Sequence, residues 1–261
     1  MNTYHLSGQE YDLQYQGYKE DLGFYLKETK KAKSAQGRSA SGGKVLEIGC
    51  GTGRILLPIL KAGVNIEGLD GSKSLLQTLH FKAKKIGLKP KTYFANMINF
   101  DLGKKYDLII IPFRTFIHLA TVSDQKKALK IFHKHLSKGG KLILNFFNPD
   151  FKRMVERQGK EEFHSYVRNP ITKNKVKISA INCYYPAEQL MKIIFIHEEV
   201  DKHNYLLRKK EYKTTIKYIF RFEFEHLLEL TDFRVLKLFG GFKGEKFDDR
   251  SREMVWIAEK V

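Results

Sequence analysis

With 261 residues, 42% of them hydrophobic, the chain is long enough for one α/β core with an elaboration and too short for a second catalytic domain. Its two cysteines, Cys50 and Cys183, exclude a disulfide framework and lack the C-x-x-C spacing that zinc or redox work needs, so no metal site is expected. The formal net charge is +18, but lysine far outnumbers arginine and is scattered through every segment, as in Lys30-Lys-Ala-Lys33 and Lys82-Ala-Lys-Lys85, so a solvated surface is favoured over a nucleic-acid track. No apolar run approaches the roughly 18 residues that span a bilayer, and no basic stretch leads into an apolar one at the N-terminus, so no membrane association and a cytoplasmic location are expected.

Taken in chain order, residues 1–29 carry Tyr11, Tyr15, Tyr18, Leu22, Tyr25 and Leu26 at helical spacing, which predicts one or two amphipathic helices with a turn near Gly17. Residues 30–43 lose nearly all large apolar side chains and read as a flexible connector. The run Val45-Leu-Glu-Ile-Gly-Cys-Gly-Thr-Gly-Arg54 then ends an apolar strand in a glycine-rich turn and opens a helix at Ile55. Glycines permit a tight turn and close approach of a ligand to the backbone, and the helix start presents free N–H groups beside it. A second strand, Val64-Asn-Ile-Glu-Gly-Leu-Asp70, ends in an acid that can reach paired ribose hydroxyls, because strand carboxyl ends face the ligand crevice of a parallel sheet. Lys91-Thr-Tyr-Phe-Ala-Asn96 and Tyr106-Asp-Leu-Ile-Ile-Ile-Pro112 repeat the plan. A helix over 124–136, a stop at Ser137-Lys-Gly-Gly140 and a fifth strand over 141–147 complete a doubly wound parallel sheet.

After Asn148-Pro149 the helical period is lost. Runs over 175–185, 189–200 and 205–218 are rich in Ile, Val, Tyr and Phe and read as inserted antiparallel strands. A returning helix over 221–231 and strands over 233–239 and 253–259 close the chain. Four segments result: 1–43 as N-terminal helices and connector, 44–150 as the core, 151–218 as the β insert and 219–261 as the completion of the core sheet.

On these motifs, over about residues 44–150, the chain resembles class I S-adenosylmethionine-dependent methyltransferases; the ending Ser251-Arg-Glu-Met-Val-Trp-Ile-Ala258 is similar to the last strand of small-molecule members, especially sugar-amine N-methyltransferases. The resemblance implies a seven-stranded, mostly parallel Rossmann-like sheet with its last two strands as an antiparallel edge hairpin. It implies that the N-terminal helices form a lid, and that the β insert roofs the acceptor pocket or makes a homodimer contact. The cofactor would be S-adenosylmethionine, leaving S-adenosylhomocysteine as product. Its contacts would come from Glu47, Gly49, Cys50, Gly51, Gly53, Asp70, Asn96, Met97 and Pro112, with Cys50 a small filler that the cofactor covers. The third motif usually reads Asp-Met, where the carboxylate accepts from the adenine amine. Asn96-Met97 replaces it here with a neutral amide acceptor, and binding is expected to be retained.

His118, in Pro112-Phe-Arg-Thr-Phe-Ile-His118, is the candidate base, with an imidazole expected near its ordinary pKa of about 6.5. Arg114 is a candidate for holding an acidic group of the substrate or a structural ion pair, and Tyr11 and Tyr15, with Tyr18, are candidates for an aromatic wall or for contact with the carboxylate of the cofactor's methionine part. The leading expectation is methyl transfer to a small-molecule amine. Two alternatives stand beside it: an RNA methyltransferase using the basic surface, and a non-catalytic protein that binds S-adenosylmethionine. Pro112-Phe-Arg lacks the Asn/Asp-Pro-Pro-Tyr/Phe signature of base-amino nucleic-acid methyltransferases.

Overall fold

A computed structural model of the protein describes residues 6–34 and 43–261. The chain begins α1 (Gly8–Gln14), α2 (Leu22–Ser34), β1 (Val45–Ile48), α3 (Leu56–Lys61), β2 (Ile66–Asp70), α4 (Lys73–Lys85), β3 (Lys91–Phe94) and β4 (Tyr106–Ile111). A short 3-10 helix (Thr115–His118), α5 (Val122–His135), β5 (Leu136–Phe147), α6 (Phe151–Glu156), β6 (Glu161–Arg168), β7 (Lys175–Tyr185), β8 (Leu190–Val200) and β9 (Leu206–Lys217) follow, then α7 (Arg221–Glu229), β10 (Phe233–Phe239) and β11 (Glu253–Lys260). They form two units, one of residues 19–148 with 219–261, the other of residues 1–18 with 149–218.

The larger unit is built on a seven-stranded sheet in the order β10-β11-β5-β4-β1-β2-β3. Strands β1 to β5 run parallel, while β11 pairs antiparallel with both β5 and β10, so the sheet is mostly parallel as expected. Burial on both faces explains the sequence of the central strands: all four residues of β1, and Leu108 to Ile111 of β4, are buried. Strand order reverses between β1 and β4, the switch point at which open α/β sheets bind ligands beyond their carboxyl ends. Short polar side chains start the helices on either side. Ser72 Oγ accepts from Leu75 N–H at the head of α4, and Thr121 Oγ1 accepts from Asp124 N–H at the head of α5.

Helix α2 is anchored in this unit by a buried polar chain. Tyr25, fully buried, donates its hydroxyl to Asn145 Oδ1 at 2.9 Å, and Asn145 Nδ2 donates to Glu253 Oε2 at 2.9 Å. The chain thus ties α2 to β5 and β11. The aromatic layer beside it includes Trp256, fully buried, with ring centroids 5.3 Å from Phe224 and 6.5 Å from Phe146.

The smaller unit is a four-stranded antiparallel sheet in the order β6-β7-β8-β9, with Val176, Ile178 and Ala180 buried at alternate positions of β7. Helix α1 belongs to it. Ser7 and Glu10 form a capping box, Gln14 Oε1 lies 3.2 Å from His197 Nε2, Glu10 pairs with Lys210, and Gln16 Oε1 accepts from Arg168 N–H at 3.3 Å.

Several boundaries differ from the sequence reading. The N-terminal segment divides between the units, α1 going with the antiparallel sheet and α2 with the parallel one, because their polar anchors lie there. Helix α2 continues through residues 30–34, which reassigns the start of the expected connector, while 35–42 lie outside the described residues. The expected stop at 137–140 is the beginning of β5, with Gly139 at φ +69°. Strand β6 and helix α6 are unanticipated: β6 reads Glu-Glu-Phe-His-Ser-Tyr-Val-Arg, and an edge strand whose alternate positions are exposed carries little apolar signal.

Replacing Tyr25 by Phe removes one donor and leaves Asn145 Oδ1 buried beside a ring edge. The expected loss is about 1–3 kcal/mol of stability. Urea unfolding followed through the fluorescence of Trp256, the single tryptophan, measures it.

Candidate cofactor and acceptor site

The carboxyl ends of β1, β2, β3 and β4 bring together Glu47 with the glycine turn, Asp70, Asn96 with Met97, and Pro112 with the segment that leads to His118. The turn is left-handed at all three of its glycines, with φ +71° at Gly49, +51° at Gly51 and +83° at Gly53. Gly49 is also a point of close approach: a Cβ there would stand 2.4 Å from Thr115 Cγ2, so the residue after β1 touches the 3-10 helix after β4. At Gly53 a Cβ would meet Leu57 and Leu79 at 2.8 and 3.0 Å, which lets α3 and α4 close over the turn. Cys50 is buried, and burial pushes its thiol well above the ordinary value, which fits a small packing residue and not a nucleophile.

Asp70 fixes the turn as well as facing the crevice. Its Oδ2 accepts from Gly51 N–H at 2.7 Å and its Oδ1 from Ser72 N–H at 2.8 Å. Burial raises its carboxyl above the usual range, and the bonds from Ser72 and Gly51 oppose the rise. Both oxygens keep lone pairs for further donors. Asn96 and Met97 are half-buried, and Asn96 Oδ1 accepts from Ile98 N–H at 3.2 Å, so the amide shapes its own loop.

Glu47 is 2% exposed, and its Oε2 is buried with no hydrogen-bond partner. Its neighbour is Arg54, which sequence spacing did not single out. Arg54 makes a bidentate pair with Asp21, Nη1 to Oδ1 at 2.6 Å and Nη2 to Oδ2 at 2.7 Å, and Asp21 is fully buried. The same guanidinium lies 4.4 Å from the centroid of the Phe113 ring. Thirty-three positions separate Asp21 from Arg54, so no local motif could have shown the pair.

The segment after β4 is strained. Phe113 and Arg114 take φ +57° and +65°, a left-handed backbone that costs a side-chain-bearing residue about 1–2 kcal/mol each. The strain is held from both sides. Arg54 covers Phe113, and Arg114 pairs with Glu253, donating from Nε to Oε1 at 3.1 Å, with its guanidinium 5.5 Å from the Phe147 ring centroid. Thr115 Oγ1 and N–H both donate to Pro112 O, at 2.8 and 3.2 Å, and start the 3-10 helix. Such strain concentrates at functional sites.

His118 ends that helix, half-buried, and burial lowers its imidazole to about 4. The expected value near 6.5 is corrected accordingly: His118 is neutral across the physiological range and a weak proton acceptor. Arg114 engages a protein carboxylate, in keeping with the ion-pair reading, and keeps a side chain 45% exposed. Tyr11 and Tyr15 lie in the smaller unit, with ring centroids 4.8 Å apart, edge to face.

The residues suit a cationic amino-acid and nucleoside ligand. They offer room beside the turn at Gly51, where a Cβ would meet no atom nearer than 3.9 Å, a buried unpartnered carboxylate oxygen on Glu47, and a strand-end carboxylate at Asp70. Among the described residues no group of His, Cys, Asp and Glu could hold a metal ion, and no helix is long and apolar enough to cross a membrane.

Residues 45–140 match a family described as a methyltransferase domain. A glycine/sarcosine N-methyltransferase of Halorhodospira halochloris is 30% identical over 145 residues, covering 55% of this chain and 50% of that protein. A ubiquinone biosynthesis O-methyltransferase of Rickettsia prowazekii is 30% identical over 40% of each chain. The chain thus spans about half the length, or less, of these curated relatives. Among solved structures, an S-adenosylmethionine-dependent methyltransferase from Clostridium acetobutylicum superposes with a TM-score of 0.76 at 17% identity, covering 96% of both chains. An amino pentose methyltransferase from Micromonospora echinaspora, solved with its cofactor bound, superposes with a TM-score of 0.71 at 18% identity over the whole of both chains. These likenesses establish the fold. Within that fold, residues 45–140 carry the match to a methyltransferase domain.

Proposed function

We propose that the protein transfers the methyl group of S-adenosylmethionine to a small-molecule acceptor, with an amine nitrogen as the attacking atom. The observation that carries the reading is Glu47 Oε2, buried and without a partner in the strand that leads into the glycine turn, a carboxylate suited to a cationic amino-acid group. When bound, S-adenosylmethionine supplies a methyl group on a sulfonium, open to in-line displacement. The protein's contribution is positioning and exclusion of water, worth up to about 7–11 kcal/mol in ideal cases. Glu47 holds the ammonium of the methionine part, Asp70 accepts from the ribose hydroxyls, and Asn96 accepts from the adenine amine. The turn at Phe113 and Arg114 is held in one conformation by Arg54 and Glu253, and this fixes the wall along which an acceptor approaches.

An amine is favoured over a hydroxyl because relatives named for N-methylation include a glycine/sarcosine enzyme and a sugar N-methyltransferase from Streptoalloteichus. A neutral amine also has its lone pair ready without a strong base. That accords with a histidine held near 4, which can accept a hydrogen bond from the acceptor's N–H and orient the lone pair without taking up its proton fully.

Incubation with methyl-labelled S-adenosylmethionine and a cell extract, followed by acid fractionation, tests the reading. Label in the acid-soluble fraction is expected. RNase-sensitive label in the precipitate would transfer the assignment to RNA and the basic surface, and cofactor binding without any transfer would favour a non-catalytic role. Asp70→Ala is expected to cost roughly 1.5–3 kcal/mol of cofactor binding through lost charge-assisted hydrogen bonds; unchanged affinity by calorimetry would remove Asp70 from the ribose site.

His118→Asn is expected to lower turnover by about 10²-fold while cofactor affinity holds. Because the folded value lies below that of the unfolded chain, His118 stays neutral while the unfolded chain gains a proton as pH falls through about 6.5, and stability declines from there toward pH 4. The rate profile should accordingly show no limb near 6.5 from this residue. A limb near 6.5 that His118→Asn abolishes would contradict the assignment.

A further inference from the structure

Glu47 lies among two other buried carboxylates, Asp21 and Asp70, and the guanidinium of Arg54, and the three acids are not equally served. Asp21 has both oxygens on Arg54. Asp70 has a backbone N–H on each oxygen. Glu47 Oε2 has none, and the guanidinium nearest to it is already engaged. The other titratable groups that face Glu47 are Cys50 in the turn and Tyr25 of α2, both neutral and both buried. Ionising all three acids beside one guanidinium would leave two negative charges uncompensated in a buried site.

Resting on the reading that this turn holds S-adenosylmethionine, we infer that Glu47 carries a proton in the free protein and releases it to solvent when the cationic cofactor enters. Cofactor binding is then an exchange of a proton for a cation. The balance is simple: the carboxyl O–H bond of Glu47 breaks, the proton passes to buffer, and the carboxylate left behind is compensated by the incoming positive charge. An unpaired carboxylate is costly to bury, whereas a protonated one is not. Burial pushes the Glu47 carboxyl well above the ordinary carboxylate range; Arg54 opposes this, and the carboxylates of Asp21 and Asp70 reinforce it. In the complex the value falls, because a cation within contact distance favours the ionised form. Between the free and bound values, affinity rises with pH by up to about tenfold per unit, and it levels off above the free value.

Titration calorimetry of the whole protein with S-adenosylmethionine at pH 6.5, repeated in buffers of different ionisation enthalpy, counts the protons. At that pH the cofactor's own amine, with an α-amino pKa of about 7.7–8.0, is already protonated and contributes little. The expected slope of observed against buffer enthalpy corresponds to release of about one proton per cofactor bound, with affinity increasing from pH 5.5 to 7. Glu47→Gln keeps the side-chain shape and should bring the slope close to zero. Binding with a flat slope in the native protein overturns the inference while leaving the cofactor site intact, as does an unchanged slope in Glu47→Gln. Absence of binding in every buffer overturns the cofactor reading itself. The native series is decisive even where the variant does not fold.

Discussion

The pairing of Arg54 with Asp21 is the constraint on which the site depends. A guanidinium with little exposure has to be matched, and Asp21 matches it bidentately from the residue just before α2. Everything around it follows from where that charge sits. The helix that carries Tyr25 is held at the head of the glycine turn, Phe113 is covered on one face, and Glu47 is left as the buried acid without a full partner. Removal of either member would strand a buried charge, and such losses cost about 3–5 kcal/mol.

Two arginines stand on either side of one strained dipeptide. Arg54 lies on the Phe113 ring, and Arg114 reaches Glu253, whose other oxygen is engaged by Asn145. The polar chain from Tyr25 through Asn145 and Glu253 to Arg114 therefore runs from α2 across the sheet to the post-β4 turn. Left-handed conformations at two side-chain-bearing residues persist only where surroundings over-determine them, and here both ends of the chain and the contact of Thr115 with Gly49 do so. The result is a preorganised wall at the carboxyl end of β4, the edge of the sheet at which chemistry in this architecture takes place.

Charge explains the site better than it explains the surface. The high net positive charge sits mostly on scattered lysines, whereas the turn itself carries buried acids. A cationic ligand therefore meets a locally negative site inside a positively charged protein, and recognition rests on the buried groups rather than on the overall field.

The strand, turn and helix pattern of the core was legible in the sequence because each element carries its own signal. Continuous apolar runs mark β1 and β4, glycines mark the turn, and the acid at Asp70 marks a strand end; the two closing strands and three strands of the insert were legible for the same reason. The edge strand β6 was not, since exposure on alternate positions leaves a polar sequence, and neither was the extension of α2 through residues 30–34, whose lysine-rich sequence reads as linker. Long-range partnership is invisible to local pattern. Asp21 with Arg54, Arg114 with Glu253 and Gly49 against Thr115 join residues 33, 139 and 66 positions apart, and the lowered basicity of His118 arises from burial that only packing creates. Sequence alone fixed which backbone shapes each segment could adopt, because propensity and periodicity are local. Which charges face one another, which acid is left unpaired and how basic the histidine is were settled by the fold, because desolvation and ion pairing depend on neighbours brought together from distant parts of the chain.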